Sequence, residues 1–99
     1  MSLEDITAEI SDKAQSMDAN GKTIKIDLQG DGIIFIDGAT TPPTVSNEDN
    51  EADVTLIISE ENFEGLIDGS LNPQMAFMMG KLKIDGDMSL ALKLGELFS

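Results

Sequence analysis

A chain of 99 residues is long enough for one domain with one hydrophobic core, which we place at residues 1–99, and too short for a second, catalytic lobe. Its 19 acidic side chains outnumber six lysines, and the net charge of -13 argues against a nucleic-acid partner. Histidine and cysteine are both absent, which removes the usual residues of catalytic triads, zinc sites and disulfides. We therefore expect a protein that is not an enzyme and that holds no cofactor and no metal.

The two ends of the sequence bear on where the protein works. Its first residues lack the basic and apolar segments of a secretory signal, and no apolar run reaches the about 18 residues that cross a membrane. The last four residues differ from a Ser-Lys-Leu peroxisomal signal. These features predict a cytoplasmic protein.

The first half of the chain predicts a helix followed by a β-hairpin. Residues 24–28 alternate between apolar and polar, which is typical of a strand with one buried face, and residues 29–32 predict a hairpin turn. Residues 33–36 are apolar throughout, which predicts a central strand covered on both faces. Before the strands, apolar residues at helical spacing predict an amphipathic helix that ends before residue 20. These residues are Leu3, Ile6, Ile10, Ala14 and Met17.

The second half predicts strands and capped helices in an α+β order. The acidic, proline-containing stretch 37–51 is predicted to be an exposed connection, and alternation at residues 53–58 predicts a third strand. A helix is expected from Ser59 to Gly69, and Asn72 with Pro73 predicts the start of another short helix. Residues 81–85 alternate as a fourth strand, and Asp87 caps a well-buried final helix over residues 88–98.

One ordered string carries a resemblance to a known family. Residues 72–88 read NPQMAFMMGKLKIDGDM. This string is similar to the signature of the sterol carrier protein 2 (SCP-2) family, N-P-x-x-A-F followed by G-K-L-K-I-x-G-[DN]-M. The likeness continues through residues 90–94 and reaches back to residues 52–53, Phe63 and the turn before Asn72, so it covers the C-terminal half of the chain.

The resemblance implies both a fold and a function. The implied fold is a curved, mainly antiparallel five-stranded sheet covered by helices, with an apolar tunnel for a fatty acid, acyl-CoA, sterol or phospholipid. Alternation supplies four of the strands, and we expect the fifth within residues 37–51, around Thr44-Val45-Ser46, with its position left open. The implied function is a non-enzymatic lipid-binding or carrier protein, for which an enzyme of lipid metabolism is a candidate partner.

The methionines of the signature suit a lipid tunnel, because an unbranched thioether repacks around ligands of different shape. Filling gaps in a closed core is the commoner role of buried methionine, and the family context favours the tunnel. An apolar lining with few polar contacts also predicts weak selection among lipids. The residues that we expect to line the tunnel are Phe35, Leu56, Ile58, Phe63, Leu66, Met75, Phe77, Met78, Met79, Leu82, Ile84, Met88, Leu90 and Leu94.

Two other functions stay open at this stage. An interaction or accessory module would have the same fold without an open cavity. An acyl carrier protein is suggested by residues 68–71, Asp-Gly-Ser-Leu, which are similar to the carrier attachment site. We disfavour the carrier, because a glycine interrupts that site and alternating strands do not fit a helical bundle.

Charged residues near the signature give weaker signals. Lys81, Lys83 and Lys93 could meet an anionic lipid group, but alternation turns Lys81 and Lys83 away from the buried side of their strand. Asp85 and Asp87 fit a turn and a helix cap better than a catalytic acid pair. The acids at residues 48–53 lack the spacing of a calcium loop. We therefore expect the lysines and the acids of residues 48–53 to be solvated.

The first helix departs from the family pattern, in which this helix is often basic. Four acids accompany a single Lys13, and each acid opposes the negative potential of an anionic membrane. Membrane contact is therefore expected to be transient at most. The acids are Glu4, Asp5, Glu9 and Asp12.

Overall fold

The described residues form four helices and five strands in the α+β order that the sequence predicts. The computed structural model describes residues 2–16, 21–40 and 42–95, with side chains described up to residue 91. The predicted helical position Met17 therefore lies outside the described residues. The elements are α1 Leu3–Ala14, β1 Thr23–Asp27, β2 Ile33–Asp37, β3 Thr44–Ser46, β4 Val54–Ile58, α2 Glu60–Asp68, α3 Pro73–Met78, β5 Leu82–Gly86 and α4 Met88–Gly95.

The strands form a single sheet in the order β3-β2-β1-β4-β5. Three pairings are antiparallel: β1 with β2, β2 with β3, and β4 with β5. The pairing of β1 with β4 is parallel. After β3, which forms one edge of the sheet, the chain passes β2 and β1 and adds β4 on the far side of β1. The sheet is therefore mixed, and it is mainly antiparallel as expected.

The fifth strand lies where the sequence left it open. β3 is three residues long and pairs with the end of β2, with Val45 opposite Ile36. The expectation that residues 37–51 form only an exposed connection is wrong for this part of the stretch. The side-chain amide of Asn47 then donates to the hydroxyl of Thr7 at 3.0 Å and to the carbonyl of Ile33 at 2.8 Å, which ties the segment after β3 to α1.

Helix ends agree with the predicted caps. The Ser59 hydroxyl accepts from the amide of Asn62, and α2 ends at Gly69, whose φ of 85° is left-handed and is adopted readily by glycine. The Asp87 carboxylate accepts from the backbone amides of Ser89 and Leu90 and so begins α4. These short-range hydrogen bonds satisfy amides that have no partner within the helix.

The core lies on one side of the sheet, between the strands and the helices. Strand alternation sends Ile24, Ile36 and Val54 to this side, and all three are fully buried. Phe35 lies on the opposite face and is 7% exposed, so the middle of β2 is buried on both faces as predicted. The buried cluster consists of Ile6, Ile10, Ile24, Ile26, Leu28, Ile34, Ile36, Val54, Leu56, Ile58, Phe63, Leu66, Ala76, Leu82, Leu90 and Ala91.

Asp53 and Thr23 join the beginnings of the two parallel strands. One carboxylate oxygen of Asp53 accepts from the backbone amide of Thr23 at 2.8 Å and from its hydroxyl at 3.2 Å. In return, the amide of Asp53 donates to the hydroxyl of Thr23 at 3.0 Å. The hydrogen bond from the Thr23 amide is the main cause that lowers the pKa of Asp53, with smaller contributions from its hydroxyl and from Lys22.

The Asp53–Thr23 contact predicts a stability that depends on acid. Because the pKa of Asp53 is lowered by folding, its stabilisation is complete above the ordinary carboxyl pKa and is lost as the pH falls through the lowered value. We expect Asp53→Asn to be less stable than the wild type at neutral pH and to lose less stability between about pH 5 and about pH 2. Urea unfolding at a series of pH values measures this. Asp31→Asn is the control, because it removes one exposed charge from a turn. Parallel pH profiles for the wild type and Asp53→Asn would contradict the prediction.

Candidate functional site

The α3 helix has one fully buried side chain. Ala76 is its buried residue, at 0% exposure, and joins the core cluster. The Asn72 side chain accepts from the amides of residues 74 and 75, and the amide of Lys81 donates to the carbonyl of Ala76 at 2.8 Å. The Asn72 cap thus begins α3, and the Lys81–Ala76 hydrogen bond together with the buried Ala76 side chain positions it against β5.

Large apolar side chains on either side of Ala76 are exposed to solvent over about half of their surface or more. Met78 is 81% exposed, and the neighbouring apolar side chains of α3 and its C-cap are about half exposed. We call Met75, Phe77, Met78 and Met79 the methionine patch. Soluble proteins rarely expose several large apolar residues together unless the surface binds something. The methionine patch is therefore the apolar surface that marks a candidate site.

The residues predicted to line a tunnel differ in the face of the sheet on which they lie and in how far they are buried. Phe35 lies on the sheet face away from the helices, and Ile84 is half-buried against the core. Met88 begins α4 and is exposed, as is the methionine patch. The side chain of Leu94 lies outside the described residues. The remaining predicted residues lie together in the core cluster: Leu56, Ile58, Phe63, Leu66, Leu82 and Leu90.

Sequence reasoning missed Ala76, the residue that connects the two groups. Its short side chain lets α3 approach β5 closely, and it shares the core cluster with Leu82. The alanine of the N-P-x-x-A-F string was the signal that could have identified it. The tunnel itself stays a prediction, with its expected walls divided between the core and the methionine patch.

The electrostatic setting of α1 differs from that of the methionine patch. A depression of about 560 Å³ has Asp5, Ala8, Glu9 and Asp12 as its described lining, which is unsuited to an acyl chain.

In the described residues, no group of carboxylates is arranged to hold a metal ion. No helix in that part of the chain is long and apolar enough to span a membrane. The cytoplasmic location and the single domain over residues 1–99 stay predictions.

Core and patch residues should respond differently to substitution. Phe63 is fully buried, so Phe63→Ala is expected to lower the free energy of unfolding by about 3–5 kcal/mol. Met78→Gln is expected to change it by less than about 0.5 kcal/mol, because the methionine side chain already lies in water. Urea denaturation of both variants measures the difference. A loss above about 1.5 kcal/mol for Met78→Gln would show that the methionine packs against the protein.

Comparison with known proteins identifies a family and relatives. The SCP-2 sterol transfer family matches residues 3–99. Human sterol carrier protein 2 is 49% identical over 51 residues, which are 52% of this chain and 9% of the human protein. Peroxisomal multifunctional enzyme A of Dictyostelium discoideum is 40% identical over 79 residues, which are 79% of this chain and 16% of that enzyme. The chain thus spans a small part of these curated relatives.

Solved structures share the fold. The crystal structure of sterol carrier protein 2 like 2 from Aedes aegypti has a TM-score of 0.78 at 22% identity and covers 95% of this chain and 94% of its own. Sterol carrier protein 2 of Aedes aegypti, solved in complex with the C16 fatty acid palmitate, has a TM-score of 0.78 at 21% identity and covers 100% and 97%. The five-stranded sheet with helices is therefore the fold of these proteins.

Proposed function

The chain belongs to the SCP-2 sterol transfer family, and on that premise we propose that it is a lipid-binding carrier without enzymatic activity of its own. Its ligand is an acyl chain or a similar apolar molecule, held between the helix side of the sheet and the helices. The palmitate bound by the Aedes aegypti protein supports a fatty acid as the first ligand to test. The methionine patch is the structural observation that carries the proposal.

Weak attachment of α3 gives the ligand a way in. α3 packs against β5, and Leu82 of β5 and Leu56 of β4 belong to the same buried cluster as Ala76. Segments with few buried apolar contacts open at a lower free energy than the rest of a domain. When α3 moves outward, a lipid can enter beside Leu82, and the methionines can turn onto it because their side chains adapt to irregular shapes. Solvent-exposed methionine side chains thereby gain apolar contacts.

The energy of such binding needs no specialised chemistry. Burial contributes about 0.8 kcal/mol per methylene, so about ten methylenes give on the order of 8 kcal/mol before ordering costs are subtracted. An acyl chain of palmitate length therefore suffices for micromolar binding. The polar end of the ligand stays at the surface in water, and selection among lipids is weak.

Electrostatics favours brief contact with membranes. The acids predicted to face solvent on α1, Glu4, Asp5, Glu9 and Asp12, are all exposed and repel anionic lipid surfaces. We propose that the protein works in the cytoplasm and collects its ligand by transient contact or by diffusion. A relative named as a multifunctional enzyme supports an enzyme as a partner for this chain, and we propose that this enzyme acts on lipids.

An accessory module with a closed core is the second candidate. The observation that favours it is the burial of Leu56, Ile58 and Phe63 at 3% exposure or less, in one continuous cluster. A protein of this kind would take up no lipid. Ligand binding therefore separates the two functions.

A fluorescent fatty acid tests the carrier directly. We expect one saturable site of micromolar or tighter affinity, from which unlabelled palmitate displaces the probe. Replacing Met75, Met78 and Met79 together by glutamine is expected to weaken binding about tenfold, because polar side chains cannot cover the acyl chain. Their exposure means that the fold should survive the change.

A matched substitution on the other face of the sheet controls for polarity. Ile57 alternates with the buried residues of β4 and faces away from the helices, so Ile57→Gln should keep the wild-type affinity. Circular dichroism verifies that each variant is folded. Absence of saturable binding by the wild type would refute the carrier, and wild-type affinity in the triple variant would exclude α3 from the site.

A further inference from the structure

The β5 strand forms one edge of the sheet in the described part of the chain. Leu56 lies opposite Ile84, and the amide of Asp87 donates to the carbonyl of Asp53 just beyond this register. Residues of an antiparallel pair alternate between bonded and non-bonded positions, so residues 83 and 85 bond to β4. Leu82 and Ile84 then direct their N–H and C=O groups away from β4. The β5 edge is therefore equipped to accept another strand.

The charge pattern along β5 is complementary to that of a second copy of β5 that runs in the opposite direction. Lys83 and Asp85 lie one residue before and one residue after Ile84. Lys81 and Asp87 lie three residues before and three residues after it. An antiparallel partner of the same sequence, centred on Ile84, therefore places each lysine opposite an aspartate. Opposite charges at directly facing positions stabilise a strand pair, and like charges destabilise it.

Neither central charge is used within the chain. Lys83 lies opposite Ile57 and Asp85 opposite Thr55, both uncharged. Lys83 and Asp85 are exposed, and neither has an ion pair to another described residue. A lone lysine on an edge strand prevents edge-to-edge pairing, whereas a lysine and an aspartate at mirrored positions permit pairing in one register.

We propose that β5 pairs with β5 of a second copy of this chain, antiparallel about Ile84, to make one continuous sheet across a two-fold axis. Ile84 of each copy exchanges backbone hydrogen bonds with Ile84 of the other, and Lys83 faces Asp85 in a closely spaced, non-bonded pair. The net charge of -13 on each copy opposes association, but salt screens charges beyond about 8 Å and leaves the facing pairs in contact.

The same two-fold axis gives the exposed methionines a partner. α3 comes just before β5 and α4 just after it. Antiparallel pairing places the beginning of one β5 beside the end of the other, so the methionine patch of one copy approaches Met88 of the second. Both surfaces are apolar and exposed in a single copy. This inference does not depend on lipid binding.

Sedimentation velocity of the purified chain tests the dimer. At about 150 mM salt we expect the mass to rise from 10.6 kDa toward twice that value as the concentration increases to about 500 µM. Lys83→Asp and Asp85→Lys each place like charges opposite one another and should raise the dissociation constant about tenfold. Mixing these two variants restores opposite charges at every facing position, so the mixture should dimerise as the wild type does.

Two controls separate this edge from other surfaces. Lys22→Asp changes the net charge as much as Lys83→Asp but lies before β1, so it should leave the dimer nearly intact. The double variant Lys83→Asp/Asp85→Lys reverses both charges and should dimerise again. A wild type that stays monomeric at the highest concentration would overturn the proposal. Single variants that dimerise like the wild type would also overturn it, because another surface would then hold the copies together.

Discussion

Burial of one apolar face of the sheet is the constraint on which the rest of the structure depends. β1, β2 and β4 each present alternate branched aliphatic side chains to this face, and the helices must cover them. A shift of one residue in any register would turn such a row to solvent, so the pairings of Ile24 with Ile36 and with Val54 are strongly specified. Every helix contributes buried residues to this one cluster, which places the helices on the same side of the sheet; these residues are Ile6, Ile10, Phe63, Leu66, Ala76, Leu90 and Ala91.

The helices cover that face to different extents, and the proposed ligand site lies beside the helix that contributes least to the core. α1 contributes Ile6 and Ile10, and α2 contributes Phe63 and Leu66, whereas α3 contributes a methyl group at Ala76. Segments with few fully buried apolar residues open at a lower free energy than the rest of a domain, which is the basis of the entry route proposed for the ligand. The chain belongs to a sterol transfer family, and the ligand site that we propose lies beside this lightly covered part of the sheet.

Sequence patterns predicted the parts of the fold that depend on neighbouring residues. The caps at Ser59, Asn72 and Asp87 follow from hydrogen bonds that span two or three residues, and the long strands follow from alternation. β3 escaped this reasoning because Val45 is its single apolar residue. The exposure of Met78 could not be read from the sequence either, since a six-residue helix with apolar side chains all around gives no sign of which one faces the core. The parallel pairing of β1 with β4 is likewise a long-range property.

The most direct test of the account is an amide NMR titration of the ¹⁵N-labelled protein with palmitate. Binding beneath α3 predicts saturable shifts with one ligand per chain in α3, β5 and the helix side of β4, whereas the amides of the acidic face of α1 stay unchanged. Shifts that fail to saturate, or saturable shifts confined to α1 or to the hairpin turn at residues 29–32, would contradict it.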